Sequence, residues 1–235
     1  MTLQELLKGC SGRWRKQLRK ESERKESRGN EKEVLSLLRE TGALLKGHFK
    51  LSSGLHSSEY VQCALVLSFP DYAEKLAEFL AKPFKEEKID IVIGPAMGGI
   101  VLSQEVGRAL GARAIFAERE EGILSLRRGF KIQEGERVLV VEDVVTTGGS
   151  VREVIRMAKE EGGAVKGVAS LIDRSSGKVD FGVRWESLVS LDLKVYPPGR
   201  CLLCKEKIPL KKLGSREMIE DAKEQVGKNG ASKNF

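Results

Sequence analysis

The chain has 235 residues and a mass of 26.0 kDa, enough to bury a full core without disulfide or metal staples. With 40% hydrophobic and 32% charged residues, and no apolar run near the ~20 residues of a spanning helix, it reads as soluble and not as a membrane protein. The net charge of +7 is uneven: residues 1–30 hold nine Lys/Arg against four Asp/Glu, residues 205–235 hold eight against five, and the body between is close to neutral. Basic excess in polar terminal segments reads as solvated tails, so a nucleic-acid partner is not expected. The amino terminus also lacks the basic start, apolar stretch and cleavage site of a secretion signal, which predicts a cytoplasmic protein.

Val34, Leu35, Leu37 and Leu38 mark an amphipathic helix from Glu31 to Thr41-Gly42. Residues 47–67 alternate around Ser52-Ser53-Gly54 and predict two strands joined by a turn. Pro70 opens a helix reaching Lys85, at a first-turn position where its missing N–H costs nothing. A strand-loop-helix unit then occurs twice. Ile89–Ile93, Gly94–Gly99 and Ile100–Leu110 form the first copy, and Val138–Val141, Thr146–Ser150 and Val151–Glu161 the second. Between them lie a strand at Ala112–Phe116 and a charged stretch, 118–136, predicted as a hairpin or mobile loop. Further strands are expected at Val165–Ile172 and Leu188–Leu191. Strands alternating with helices imply an α/β fold with a mainly parallel central sheet flanked by helices, and ligands outside the carboxyl ends of its strands.

Four cysteines in a chain of this length do not make a disulfide framework. Cys201-x-x-Cys204 is a single pair, whereas a closed zinc site takes four ligands, and His48 and His56 are too far away in sequence for a zinc-finger spacing. Two half-buried thiols and no metal ligands are therefore expected; a metal would require two copies of the pair to meet across a dimer.

The string VLVVEDVVTTGGS, 138–150, carries the chemistry. Its buried strand ends in adjacent carboxylates, Glu142 and Asp143, which cannot both be buried unpaired and so belong at the exposed end of the sheet. Successive strand residues point to opposite faces, so both reach one ligand only if the backbone turns there. Thr146, Thr147, Gly148, Gly149 and Ser150 supply converging N–H groups at a helix start, an anion nest suited to phosphate. Acid beside phosphate calls for a ligand with hydroxyls between, as in ribose 5-phosphate. The competing reading is a surface turn with an acidic pair. Neither G-x-x-x-x-G-K-[ST] nor G-x-G-x-x-G occurs in either Gly-rich loop.

This string resembles the 5-phosphoribosyl 1-pyrophosphate (PRPP) signature of the type I phosphoribosyltransferases. GHFKLSSGLHSSEY, IGPAMGG and LIDRSSG, in that order, narrow the resemblance to the orotate phosphoribosyltransferase family. It covers roughly residues 31–215, a catalytic domain with a small amino-terminal hood, between a charged extension (1–30) and a polar tail (216–235). The resemblance implies transfer of ribose 5-phosphate from PRPP to orotate, giving orotidine 5-monophosphate and pyrophosphate in UMP biosynthesis. Glu142 and Asp143 would hold the ribose hydroxyls. Val144 and Val145 would lead into the 5-phosphate cradle formed by Thr146, Thr147, Gly148, Gly149 and Ser150. Ala96, Met97, Gly98 and Gly99 would line the pyrophosphate site. Arg174 would pair with the orotate carboxylate, Tyr60 and Val61 would flank its ring, and Thr146 would touch it as well. Magnesium, held mainly by the pyrophosphate of PRPP, and a homodimer whose 118–136 lid reaches across the interface are also implied.

The chain departs from the family pattern in its cations. Gly98 and Ser52 stand where lysines are common, and the lid carries Arg119, Gly122, Arg127 and Arg128 in place of several lysines and a histidine. The expectation is that Arg119, Arg127 and Arg128, with Lys131, take over the leaving-group charge as catalytic cations. The alternative is a solvated hairpin face. Two other functions remain open: a purine phosphoribosyltransferase, which would not need Arg174, and a PRPP-sensing regulator that binds nucleic acid.

Overall fold

The computed structural model describes residues 29–51 and 53–213; Ser52, most of the predicted extension and the predicted tail lie outside the described residues. The chain divides into two compact units, Met1–Ala43 with Cys63–Asp192, and Leu44–Gln62 with Leu193–Phe235.

The first unit opens with helix α1 over residues 29–40, which buries Val34, Leu37 and Leu38 and ends at Gly42, whose φ of 68° only glycine adopts without strain. Cys63–Leu67 is a short helix, α2, rather than the end of a predicted strand. Its apolar run is too short for its periodicity to separate a strand from a buried helical turn. Helix α3 (Pro70–Ala81) starts on Pro70 as expected, but the chain tightens to a 3-10 helix at Lys82–Glu87, where Pro83 has no N–H to extend the α ladder. There follow β3 (Ile91–Pro95), α4 (Gly98–Leu110), β4 (Arg113–Glu120), β5 (Ile123–Leu126), β6 (Arg137–Val145), α5 (Gly149–Glu160), β7 (Ala164–Asp173) and β8 (Arg184–Ser190). The six-stranded sheet has the order β5-β4-β3-β6-β7-β8, parallel except for β5 at one edge.

Ile91, Ile93, Val138 and Val140 pack with Val151, Val154, Ile155 and Ala158 of α5 in one core cluster. Leu139, Leu102, Val106, Leu76 and Leu80 are buried outside that cluster. β3 has β4 on one side and β6 on the other, so the strand order reverses between β3 and β6. This is where a ligand crevice opens in doubly wound sheets.

The second unit is built on β1 (Leu44–Lys50) and β2 (His56–Val61), an antiparallel pair with a register shift between Lys46 and Phe49. Two carboxyl-terminal strands that periodicity did not predict complete it: β9 (Val195–Tyr196) pairs with β2 and β10 (Lys211–Lys212) with β1, separated by a short helix, α6 (Leu202–Lys205).

Candidate active site

β3 and β6 pair in parallel from Ile91↔Val138 to Ile93↔Val140, and continuing that register brings Pro95 level with Glu142. The loops that follow the two strands therefore leave the same sheet edge. Glu142 and Asp143 are not at a turn, as the sequence suggested. β6 continues to Val145, and Glu142 and Val144 still pair with Ser170 and Ile172 of β7. The two carboxylates thus alternate along a strand. The Asp143 Oδ1 accepts a hydrogen bond from Val144 N–H at 2.8 Å, and Asp143 N–H donates to Glu142 Oε1 at 3.2 Å. Glu142 is buried and Asp143 half-buried, so the pair is less exposed than its place at a strand end led the sequence reading to expect.

Gly98 explains one of the sequence departures. A Cβ there would lie 2.4 Å from Asp143 Oδ2, so the first residue of α4 must be glycine for the Asp143 carboxylate to keep its position. A lysine could not occupy it without displacing Asp143. Ala96 and Met97 form the turn between β3 and α4 through a cis peptide bond, and Gly99 backs against Gly94 so closely that a Cβ on Gly94 would come within 2.6 Å of the Gly99 carbonyl oxygen.

After β6 the chain turns at Thr146 and Thr147, and Gly148, with φ of 74°, caps α5. The first N–H groups of that helix have no intrahelical acceptor and point toward this edge, with the positive end of the helix dipole. Arg152 braces the loop from behind: its guanidinium donates to Thr147 O at 2.8 Å and Asp180 O at 3.0 Å, and lies 5.4 Å from the centre of the Phe181 ring. Sequence reasoning missed Arg152. Its i+4 distance from Gly148 was the available signal, but an arginine in a first helical turn has no distinctive pattern. Arg174 follows β7 directly, and its N–H donates to Val145 O at 2.7 Å, which holds its backbone one residue from the phosphate-type loop. Cys63 is a second unforeseen neighbour. Burial, then the charges of Asp143 and Glu142, push its thiol well up, so it stays protonated and is no nucleophile.

The 118–136 stretch is an ordered hairpin over its first part. β4 and β5 join through Glu121 and Gly122, both with positive φ, as a two-residue primed turn demands. Its arginines are engaged within reach of the hairpin: Arg128 makes a two-pronged pair with Glu118 (2.8 Å each), Arg127 meets Glu120 at 3.3 Å, and Arg119 meets Glu153 at 3.0 Å. The pair with Arg128 holds the Glu118 carboxyl below its ordinary range. The Lys131 carbonyl accepts from Arg113 at 3.0 Å.

Tyr60 and Val61 lie on β2 in the second unit, with the Tyr60 ring 5.6 Å from Phe49. That unit also gathers residues expected to be far apart. His48 and His56 meet with Cys201 and Cys204, their ligand atoms all within 4.8 Å of one another. The spacing is indeed not that of a zinc finger, but no second copy of the cysteine pair is needed to complete four ligands, because a β-hairpin and a returning carboxyl-terminal segment bring together residues distant along the chain. Burial, then His48 and Lys50, lower the pKa of His56, so this imidazole stays neutral near pH 7.

Residues 66–181 match the phosphoribosyl transferase domain. The chain is 56% identical over 186 residues to the orotate phosphoribosyltransferase of Pelotomaculum thermopropionicum, covering 79% of this chain and 98% of that one. It is 58% identical over 183 residues to that of Thermotoga maritima, covering 78% and 98%. The crystal structure of orotate phosphoribosyltransferase from Aeropyrum pernix superposes with a TM-score of 0.56 at 29% identity, over 66% of this chain and 92% of that one. A doubly wound sheet with an acidic strand end feeding a glycine-capped helix, at this level of identity over nearly the whole length of its relatives, makes the chain a member of the orotate phosphoribosyltransferase family.

Proposed function

We infer that this chain transfers the ribose 5-phosphate group of PRPP to orotate, giving orotidine 5-monophosphate and pyrophosphate. The observation that carries this reading is the convergence at one sheet edge of the Glu142-Asp143 pair, the Thr146–Ser150 helix start and Arg174. The helix start receives the 5-phosphate. Glu142 and Asp143, reaching from the two sides of one strand end, accept hydrogen bonds from the ribose 2- and 3-hydroxyls and stabilise the positive charge that builds on the ring as pyrophosphate departs. Arg174 grips the orotate carboxylate with a planar, two-pronged guanidinium, and the family resemblance assigns Tyr60 and Val61 to the pyrimidine ring.

Magnesium belongs to the reading as well. The only group of three or more metal-type side chains among the described residues is in the second unit, so the crevice offers oxygen donors from Glu142 and Asp143 but no all-protein cage. That donor set suits a cation that keeps its water and takes most of its oxygens from the pyrophosphate of PRPP. Bound there, it would supply positive charge to the leaving group.

The β4–β5 hairpin is the proposed lid, closing across a homodimer onto the partner's crevice to exclude water. Its arginines pair with surface carboxylates, and such pairs are weak enough for a multiply charged pyrophosphate to compete for them. Replacing Arg127 and Arg128 together by alanine is expected to lower turnover with no loss of fold; unchanged turnover would leave them as a solvated face. The reading places the reaction in the cytoplasm, and no helix among the described residues is long and apolar enough to cross a membrane.

The decisive experiment follows orotate absorbance after mixing protein with orotate, PRPP and magnesium, beside adenine, guanine and hypoxanthine. Consumption of orotate alone is expected. Turnover of a purine in its place would remove Arg174 from the base site, and PRPP binding without turnover of any base would overturn the enzyme reading.

A further inference from the structure

We propose that His48, His56, Cys201 and Cys204 form a tetrahedral zinc site that clips the carboxyl-terminal segment onto the β1–β2 hairpin. The site is distinct from any magnesium carried by PRPP: its donors are two nitrogens and two sulfurs, a set that selects zinc over hard cations.

The geometry is close to what the ion requires. Zn–N bonds of about 2.0–2.1 Å and Zn–S bonds of about 2.3 Å at tetrahedral angles set N···S edges of about 3.5 Å and an N···N edge of about 3.3 Å. Cys201 Sγ and Cys204 Sγ lie 3.5 and 3.6 Å from His48 Nε2, and Cys204 Sγ lies 3.2 Å from His56 Nδ1. The two ring nitrogens are 2.9 Å apart, so binding needs them to open by a few tenths of an ångström. The other ring nitrogen of His48 already has its partner. Nδ1 lies 2.8 Å from the Ile208 carbonyl oxygen, which accepts only from a protonated nitrogen. That fixes the tautomer and turns the Nε2 lone pair toward the cysteines, the arrangement found around metal-bound imidazoles.

The fold delivers the four ligands on purpose-built backbone. β9 pairs Tyr196 with His56, and β10 pairs Lys211 with Phe49, beside His48. The stretch between β9 and β10 is therefore tied at both ends to the part of the hairpin that carries the histidines, and Cys201 and Cys204 sit on it at the start and within the first turn of α6. After that helix, Lys207 adopts φ of 57° and Ile208 N–H donates to Leu203 O, which aims the Ile208 carbonyl at His48.

The energetic need is local. Among the described residues, the second unit's buried apolar side chains are only Phe49, Leu51, Val61 and Cys201. A unit with so few is below the size at which an apolar core suffices, and small units of that kind commonly use a metal. A link between His48 and Cys201 closes 153 residues of chain, so it constrains the unfolded state heavily as well. Binding displaces the two thiol protons into solvent and changes no oxidation state.

The test uses the full-length, untagged protein. Elemental analysis after purification without chelator is expected to give one zinc per chain. The metal-free protein, titrated against a chromophoric chelator, should take up one zinc with a dissociation constant of about nanomolar or below. Cobalt in place of zinc should produce the intense visible bands of a tetrahedral ion with thiolate-to-metal charge transfer. Cys204→Ser should weaken zinc at least a hundredfold and diminish the charge-transfer band. The wild-type titration stands even if that variant folds poorly. No stoichiometric uptake by the wild-type chain, a cobalt spectrum without charge transfer, or a Cys201–Cys204 disulfide in protein kept under reducing conditions would each overturn the proposal. Orotate turnover is scored separately, so failure here leaves the phosphoribosyl reading untouched.

Discussion

Around β3 and β6 the first unit buries Ile91, Val92, Ile93, Val138, Leu139, Val140 and Val141 completely, and the crevice loops are extensions of those strands. Around β1 and β2 the second unit places two histidines and a serine among its buried groups, beside few apolar residues. In the crevice the core fixes the backbone, and polar groups remain at its rim to meet a ligand. In the histidine-cysteine cluster the polar groups are themselves the interior, and what satisfies them has to hold the unit together. Substitution should therefore separate function from stability in the first region and couple a bound ion to stability in the second.

The largest effect expected is from Asp143→Asn. The amide oxygen can still accept from Val144 N–H, so the fold should survive while the charge facing the ribose is lost. Turnover should fall by about 10²-fold or more, measured by orotate consumption, with the thermal midpoint unchanged. A parallel fall in the midpoint would show that the crevice is not separable from the core. Arg174→Ala should come next, raising the KM for orotate by about ten- to a hundredfold, the worth of a charge-assisted pair, with little change for PRPP. Equal weakening of both substrates would argue against a carboxylate contact.

Gly148→Ala tests the rim itself. Its φ of 74° is strained for alanine, and the new Cβ would come 2.8 Å from Phe181 and 3.0 Å from Arg152. A cost of about 1–2 kcal/mol is expected, seen as a midpoint lowered by about 2–8 °C with a raised KM for PRPP. The smallest effect belongs to Asp90, whose two-pronged pair with Arg137 holds its carboxyl far below the usual range. A depressed folded-state pKa favours the ionised form, so this contribution is present above the ordinary aspartate range and is lost as pH falls below it. The midpoint difference between wild type and Asp90→Asn should be largest near neutral pH in low salt and should vanish on strong acidification. A difference that persists in acid would assign it to packing.

The difference between the two regions is also one of legibility. The helix over residues 29–40 with its Gly42 stop and Pro70 at the start of α3 were readable because propensity, capping and turn chemistry act over a few residues. The strand that ends in Glu142 and Asp143 was readable for the same reason, although its continuation to Val145 was not. Pairing with Ile172 and Asp173 of β7 extends it, and no local pattern announces a partner strand. The same limit hid β9 and β10, two residues each, which exist only because β1 and β2 offer them edges.

The sequence by itself determined the α/β alternation, the acidic pair, the glycine-capped loop and the arginine after β7, since each is written in neighbouring residues. Only the tertiary structure decided that Gly98 yields its side-chain space to Asp143, that Arg152 braces Thr147, and that His48 and His56 meet Cys201 and Cys204. Side-chain chemistry is carried by single residues, whereas contacts across many residues are set by strand register and chain return, which depend on the whole fold at once.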